Sequence, residues 1–204
     1  MKRKLKIEIG LAVLLLLIAL FGSFLAPYDP LKVNYDFSLQ PPSFLHIFGT
    51  DKLGRDVFSR ILCGAKTSFG LTFLMLFLIV FIGMIVGLIA GLSNDKVESF
   101  FNNIINGLLA FPDTIFAIAI VGIVGAGLFN TVFALALIWW TKYARLTLAL
   151  VKQEKKKNYL VISKMSGVPP LQRIIRYLLP NILSQILVTA FLDIGNMMIS
   201  LAGL

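Results

Sequence analysis

The chain has 204 residues, 58% hydrophobic and 14% charged, with a mean hydropathy of +0.88. Soluble domains carry about a quarter charged residues, so this balance excludes an ordinary soluble domain and points to an integral membrane protein. The net charge of +9 does not indicate nucleic acid, because the basic residues flank the apolar runs, as they do when charge sets membrane orientation.

Cys63 and His46 are single, which leaves no internal disulfide and no His/Cys metal cluster. No Ser/His/Asp set appears, and no Gly-x-x-x-x-Gly-Lys-Ser/Thr phosphate loop. An enzyme is therefore not expected, nor any cofactor held by this chain.

In chain order, a basic start (Lys2, Arg3, Lys4, Lys6) precedes an apolar run that predicts span one over residues 7–26, ended by Pro27. The run is too long for a usual signal-peptide core, so it reads as a retained helix. In residues 46–66, Thr50 or Asp51 is placed to cap a helix. Asp51–Arg55 and Asp56–Arg60 are spaced as i,i+4 pairs, and Leu53, Val57 and Ile61 form an apolar side. That predicts an amphipathic helix lying on the outer surface. Thr67 to Asn94 and Thr114 to Thr141 are each 28 residues without a charge. About 20 suffice to cross the hydrocarbon. Span two is placed at 68–92, span three at 104–124, span four at 128–150 and span five from 180 to 204. Gly83, Gly87 and Gly91 share one face of span two and read as a close-packing stripe. Asp113 is placed to cap a broken helix or to pair with Lys142 or Arg145.

The loop of residues 27–66 holds five basic and four acidic residues, whereas residues 142–176 hold nine basic and one acidic. Positive-inside reasoning then puts the N-terminus and residues 142–176 in the cytoplasm. Within the basic segment, residues 158–166 predict a short helix stopped at Gly167, and residues 171–177 a second one begun by Pro169 and Pro170. Pro180 is expected to open the last span. An ordinary charged loop explains the same composition.

At this segment the sequence resembles the binding-protein-dependent importers of the ATP-binding-cassette (ABC) class. Their motif runs Glu-Ala-Ala, three residues, Gly, nine residues, Ile-x-Leu-Pro. Gly167 and the nine residues before Tyr177-Leu178-Leu179-Pro180 match it, while Val161, Ile162 and Ser163 stand at the Glu-Ala-Ala positions and Tyr177 at the Ile. The string GTDKLGRDVFSRILCGAKTS resembles the permeases of the dipeptide/oligopeptide/nickel family. Leu192-Asp193-Ile194-Gly195-Asn196-Met197-Met198 resembles the nickel branch of that family, as do residues 122–130 and Tyr143-Ala-Arg145.

The resemblance implies a type I ABC importer permease, an all-α bundle of about five membrane helices with a sixth span missing. Its implied organisation is a first helix plus outer loop (1–66) and a permease core (67–204) with cytoplasmic coupling helices near 151–179. A sister permease, two cytoplasmic ATPases that bind ATP and Mg²⁺, and an extracytoplasmic binding protein are the implied partners. The implied setting is a bacterial cytoplasmic membrane. Nickel, as ion or chelate, is the expected cargo. A di- or oligopeptide permease and an inactive truncated scaffold are the alternatives.

On the expected ATPase-coupling surface lie Tyr159, Ser163, Met165, Gly167, Val168 and Leu171, with Pro180 as the hinge. In the last span Gln185, Thr189, Asp193, Asn196 and Ser200, together with Asn181, fall within an arc of about 120°. Lipid cannot hydrogen-bond them, so the stripe faces water or protein. It either lines the pathway, with Asp193 as a transient metal ligand and Met197 as a softer contact, or packs against a neighbouring helix.

Overall fold

In the computed structural model, which describes residues 2–203, helices make up nearly all of the regular structure. Among the described residues there is no strand, only one isolated bridge between Thr50 and Asp56. The helices are α1 (Lys2–Leu25), α2 (Val57–Leu92), α3 (Asp95–Leu109), α4 (Asp113–Val124), α5 (Leu128–Lys155), α6 (Asn158–Met165), α7 (Pro170–Arg173) and α8 (Leu179–Ala202). A π-helical segment, Ile174–Leu178, joins α7 to α8. Four of the helical runs are long and apolar enough to cross a membrane. The bent pair α3/α4, taken as one span, makes five. The chain is an all-α membrane protein.

Two compact units divide at Gly70 and Leu71, inside α2. In the first unit, α1 carries exposed leucines on several sides, as a helix surrounded by lipid does. The outer loop departs from the sequence expectation. Residues 50–56 form turns rather than a capped amphipathic helix, and α2 starts only at Val57. Gly54 explains why: its φ is +70°, and a Cβ there would meet the Asn34 carbonyl oxygen at 1.6 Å.

Asp56, not Thr50 or Asp51, caps the helix. Its Oδ2 accepts from the Ser59 amide at 2.8 Å and from the Ser59 hydroxyl at 2.7 Å, while Oδ1 meets His46 Nδ1 at 2.9 Å. Burial acts to raise the Asp56 pKa, but the Ser59 and His46 hydrogen bonds outweigh it and hold the carboxyl below its ordinary value. The Asp51–Arg55 pair forms at 2.8 Å, though within a turn, and Arg60 joins Asp51 rather than Asp56.

Asp51 is the anchor of this loop. Its Oδ1 accepts from the amides of Leu53 (2.9 Å) and Arg55 (3.1 Å), and its Oδ2 from Arg55 Nε at 2.8 Å. Burial pushes its pKa up, yet these bonds outweigh burial and lower it from 3.8 to about 2. A carboxyl depressed in the folded state stabilises above its unfolded pKa and loses that contribution as pH falls through the folded value. Hydrogen-exchange protection of residues 34–56 is therefore expected to fall as the pH drops from about 4 to about 2. Asp51→Asn should remove that pH step and leave the loop weakly protected throughout.

In the second unit, α3 begins at Asn94, whose side chain accepts from the Val97 amide at 3.1 Å, with Asp95 and Glu98 in the first turn. The third span is not one helix over 104–124. It bends by 83° between α3 and α4, where Pro112 cannot continue the α3 ladder. Lys152 pairs with Glu98 at 2.7 Å and Arg145 bonds Asn106, so α5 holds α3 along its side.

Gly83, Gly87 and Gly91 face α5. A Cβ on Gly83 would lie 2.6 Å from the Trp140 carbonyl oxygen, and one on Gly87 2.5 Å from Thr147 Cβ. The two backbones touch there, as small residues at that spacing allow. At the end of α2, Lys155 Nζ donates to the Gly91 carbonyl at 3.0 Å.

α6 ends as the sequence indicates. Gly167, at φ +74°, takes the left-handed position beyond it, and the amide of Val168 reaches back to the Ser163 carbonyl. The second short helix does not stop before Pro180. From Pro170 to Ala202 the chain is one helical run of 33 residues. Pro180 has no N–H and its ring would crowd the carbonyl four residues back. The chain widens to π geometry just before it, with the Leu179 amide bonding the Ile174 carbonyl. Pro180 thus lies inside one continuous helical run rather than between two separate helices.

Candidate functional site

The buried face of α8 consists of Ile182, Ile186, Ala190, Asp193 and Met197, spaced so that one side of the helix packs inward. One of these five is a carboxylate, and α5 meets it. Lys142 Nζ lies 2.8 Å from Asp193 Oδ1 and 2.7 Å from Oδ2, and the Tyr143 hydroxyl donates to Oδ2 at 2.9 Å. An unpaired carboxylate in a membrane helix is costly. Here the charge is matched and both oxygens are bonded. The side chain of Asp193 is 8% exposed and that of Lys142 is 51% exposed, so the carboxylate lies behind its cation.

Beside this pair is a cavity of about 550 Å³. The break between α3 and α4 contributes Phe111, Pro112 and Asp113. α5 contributes Trp139, Thr141 and Lys142, and α8 contributes Asp193, Asn196 and Ser200. The bend at Pro112 is therefore part of the site, since it brings Asp113 to the wall. Asp113 Oδ1 accepts the Thr114 amide at 2.8 Å at the start of α4. The Trp139 indole N–H is buried and donates to no protein acceptor. A lysine, two carboxylates, an amide and two hydroxyls around aromatic walls suit a small polar, charged solute.

The polar stripe of the last span is divided. Asp193, Asn196 and Ser200 reach the cavity; Gln185 and Thr189 do not line it, and Thr189 donates to the Gln185 carbonyl at 3.0 Å. Met197 is fully buried among apolar neighbours. Lys142, Tyr143 and Trp139 were missed as site residues by sequence reasoning. The signal for Lys142 was present, because a lone lysine at the edge of a 28-residue uncharged run needs a counter-charge, and Asp193 is the acid within the last span.

The expected coupling residues are also divided. Met165 (82% exposed), Gly167 and Leu171 are on the surface, and Val168 is half-buried. Ser163 is buried, its hydroxyl donating to the Leu160 carbonyl at 2.8 Å, so it supports α6 instead of forming an outer contact. Tyr159 turns inward to Glu154, and burial together with that hydrogen bond raises its pKa to about 12. Its place in the exposed set is taken by Ile162 (60%) and Ile175 (59%). Leu171, Ile175 and Pro180 line one shallow groove.

Comparison with known proteins bears on this arrangement directly. Residues 83–204 match the family described as "Binding-protein-dependent transport system inner membrane component", and residues 9–42 match the "N-terminal TM domain of oligopeptide transport permease C". The chain is 33% identical to the nickel transport system permease protein NikC of Escherichia coli (strain K12), over 94% of this chain and 69% of that protein. It is 37% identical to the di/tripeptide transport system permease protein DppC of Pseudomonas aeruginosa (strain UCBPP-PA14), over 96% of this chain and 67% of that protein. Helical spans of the right length, a polar cavity between them and matches over most of the chain agree: the protein belongs to the inner-membrane components of binding-protein-dependent transport systems, the permease subunits of ABC transporters, and is a transporter subunit rather than an enzyme.

Proposed function

We propose that the chain forms half of the translocation pathway of an ABC importer and carries nickel bound to its own small organic ligands. Residues 156–178 face the cytoplasm in this reading and receive the ATPase subunits, which bind ATP and Mg²⁺. A sister permease completes the pathway and an extracytoplasmic binding protein loads it. The observation that carries the proposal is the unbroken helical run from Pro170 to Ala202. One end presents Leu171 and Ile175 on the surface, and the other carries Asp193, Asn196 and Ser200 to the cavity wall. A push on the first end moves the second, and alternating access needs such a connection.

The form of the cargo follows from the donor set. Asp193 is already held by Lys142 and Tyr143, and among the described residues no group of three or more His, Cys, Asp or Glu is placed to hold an ion. An ion that brings its ligands asks less of such a wall, because Lys142 can meet a carboxylate of the chelate and Asp113 an ammonium. The same pair of opposite charges suits a di- or tripeptide zwitterion, which is the second reading, and relatives with that name match comparably.

Uptake separates the two. In cells lacking other nickel and peptide importers, expression with its partner permease, ATPase and binding-protein subunits should raise accumulation of radioactive nickel about tenfold and leave labelled dialanine unchanged. Dialanine uptake without nickel uptake assigns the peptide reading, and uptake of neither leaves an inactive scaffold. The coupling surface is tested separately. Met165→Asp and Leu171→Asp, which put charge on exposed apolar contacts, should each weaken capture of the ATPase subunits about tenfold in pull-down titrations.

A further inference from the structure

A second cavity, of about 530 Å³, lies apart from the pathway. Its lining combines three cations, Lys155, Lys164 and Arg173, with apolar residues that include Leu92, Leu160 and Leu178, and no acidic side chain lines it. The Nε of Arg173 is buried and has no hydrogen-bond partner in the protein. A guanidinium with an unmatched N–H, set among further cations, favours an anionic partner for the group as a whole. Lys155 gives one bond to the Gly91 carbonyl and keeps further donors.

The location identifies the anion. Leu92 is the last residue of α2 and Lys155 the last of α5, so the cavity is where two membrane helices end, and helix ends are where lipid headgroups are met. Three cations and several apolar side chains around one cavity at such helix ends fit a molecule that carries both a phosphate and acyl chains. We propose that this cavity binds the headgroup of an anionic phospholipid, with Arg173, Lys164 and Lys155 around the phosphate and the first acyl carbons against Leu92, Leu160 and Leu178. A bound lipid there would join the ends of α2 and α5 to α6 and α7, and so stiffen the base of the coupling hairpin.

The test uses the full chain in its assembled transporter, delipidated and titrated with phosphatidylglycerol or phosphatidylcholine, with bound lipid counted by native mass spectrometry. Phosphatidylglycerol should bind about tenfold more tightly than phosphatidylcholine. Arg173→Gln and Lys164→Gln should each reduce that preference about fivefold. Arg173→Lys should keep most of it, and Lys152→Gln, outside the cavity, all of it. Should Arg173→Gln not fold, the exposed Lys164 carries the comparison. Equal affinity for the two lipids, or an unchanged preference in a stably folded Arg173→Gln, overturns the proposal. It is overturned as well if inorganic phosphate displaces the lipid at equal concentration, which marks a free-anion site. Retained lipid with lost ATPase binding in Arg173→Gln overturns it in favour of an acidic side chain of the ATPase.

Discussion

Asp193→Leu should destabilise the protein by about 3 kcal/mol, because it leaves the Lys142 ammonium beside an apolar helix without its carboxylate. Larger losses occur when both partners are wholly buried, and the half-exposure of Lys142 moderates this one. Lys142→Met alone should cost a comparable amount, since Asp193 is the buried member and keeps only Tyr143. The double variant, with the charges removed together, should recover to within about 1 kcal/mol of wild type in thermal or denaturant unfolding. That non-additivity is the signature of a direct pair. Transport then distinguishes the roles left open by the sequence. If the pair serves cargo passage, the double variant folds and assembles but accumulates no substrate. If it only joins α5 to α8, the double variant transports at near the wild-type rate.

The second large effect concerns α2. Gly87→Ala introduces a methyl where Thr147 Cβ, the Ala144 carbonyl oxygen and the Leu148 amide nitrogen stand at 2.5, 2.6 and 3.0 Å. Two of those atoms are backbone and cannot turn aside. The helices must separate, at a cost of about 1–3 kcal/mol for the added carbon. Gly87→Leu should yield no stably folded protein. Gly64→Ala and Gly70→Ala, with nothing within 4 Å of the added carbon, are the controls on the same helix and should leave the unfolding midpoint near wild type.

Much of this was legible in the sequence for identifiable reasons. The long uncharged runs marked the spans, because hydropathy over some 20 residues is a strong signal in lipid. Gly167 marked the end of α6, since a left-handed backbone position selects glycine. The four-residue spacing of Gly83, Gly87 and Gly91 indicated a close packing face, and α5 occupies it.

The errors share a cause. Local spacing points to capping by Thr50 or Asp51, whereas the choice of Asp56 depends on His46 ten residues away and on the fit of Gly54 against Asn34. Pro180 reads locally as a break, yet a π turn absorbs it within one helix. Pro112, which lies at the edge of an apolar run, bends the third span by 83°. The Lys142–Asp193 pair joins residues 51 apart in sequence, beyond any periodicity rule. Short-range rules identified the elements, and long-range partners decided where they begin, bend and meet.

The touching backbones of α2 and α5 have a mechanical corollary. At Gly83 and Gly87 no α2 side chain stands between the helix and the α5 backbone, so rotation or sliding there drives main-chain atoms together. In the proposed transport cycle the two helices are the stator. In that cycle, displacement delivered through residues 170–178 is taken up between α5 and the far half of α8, where the Lys142, Tyr143 and Asp193 hydrogen bonds can break and re-form.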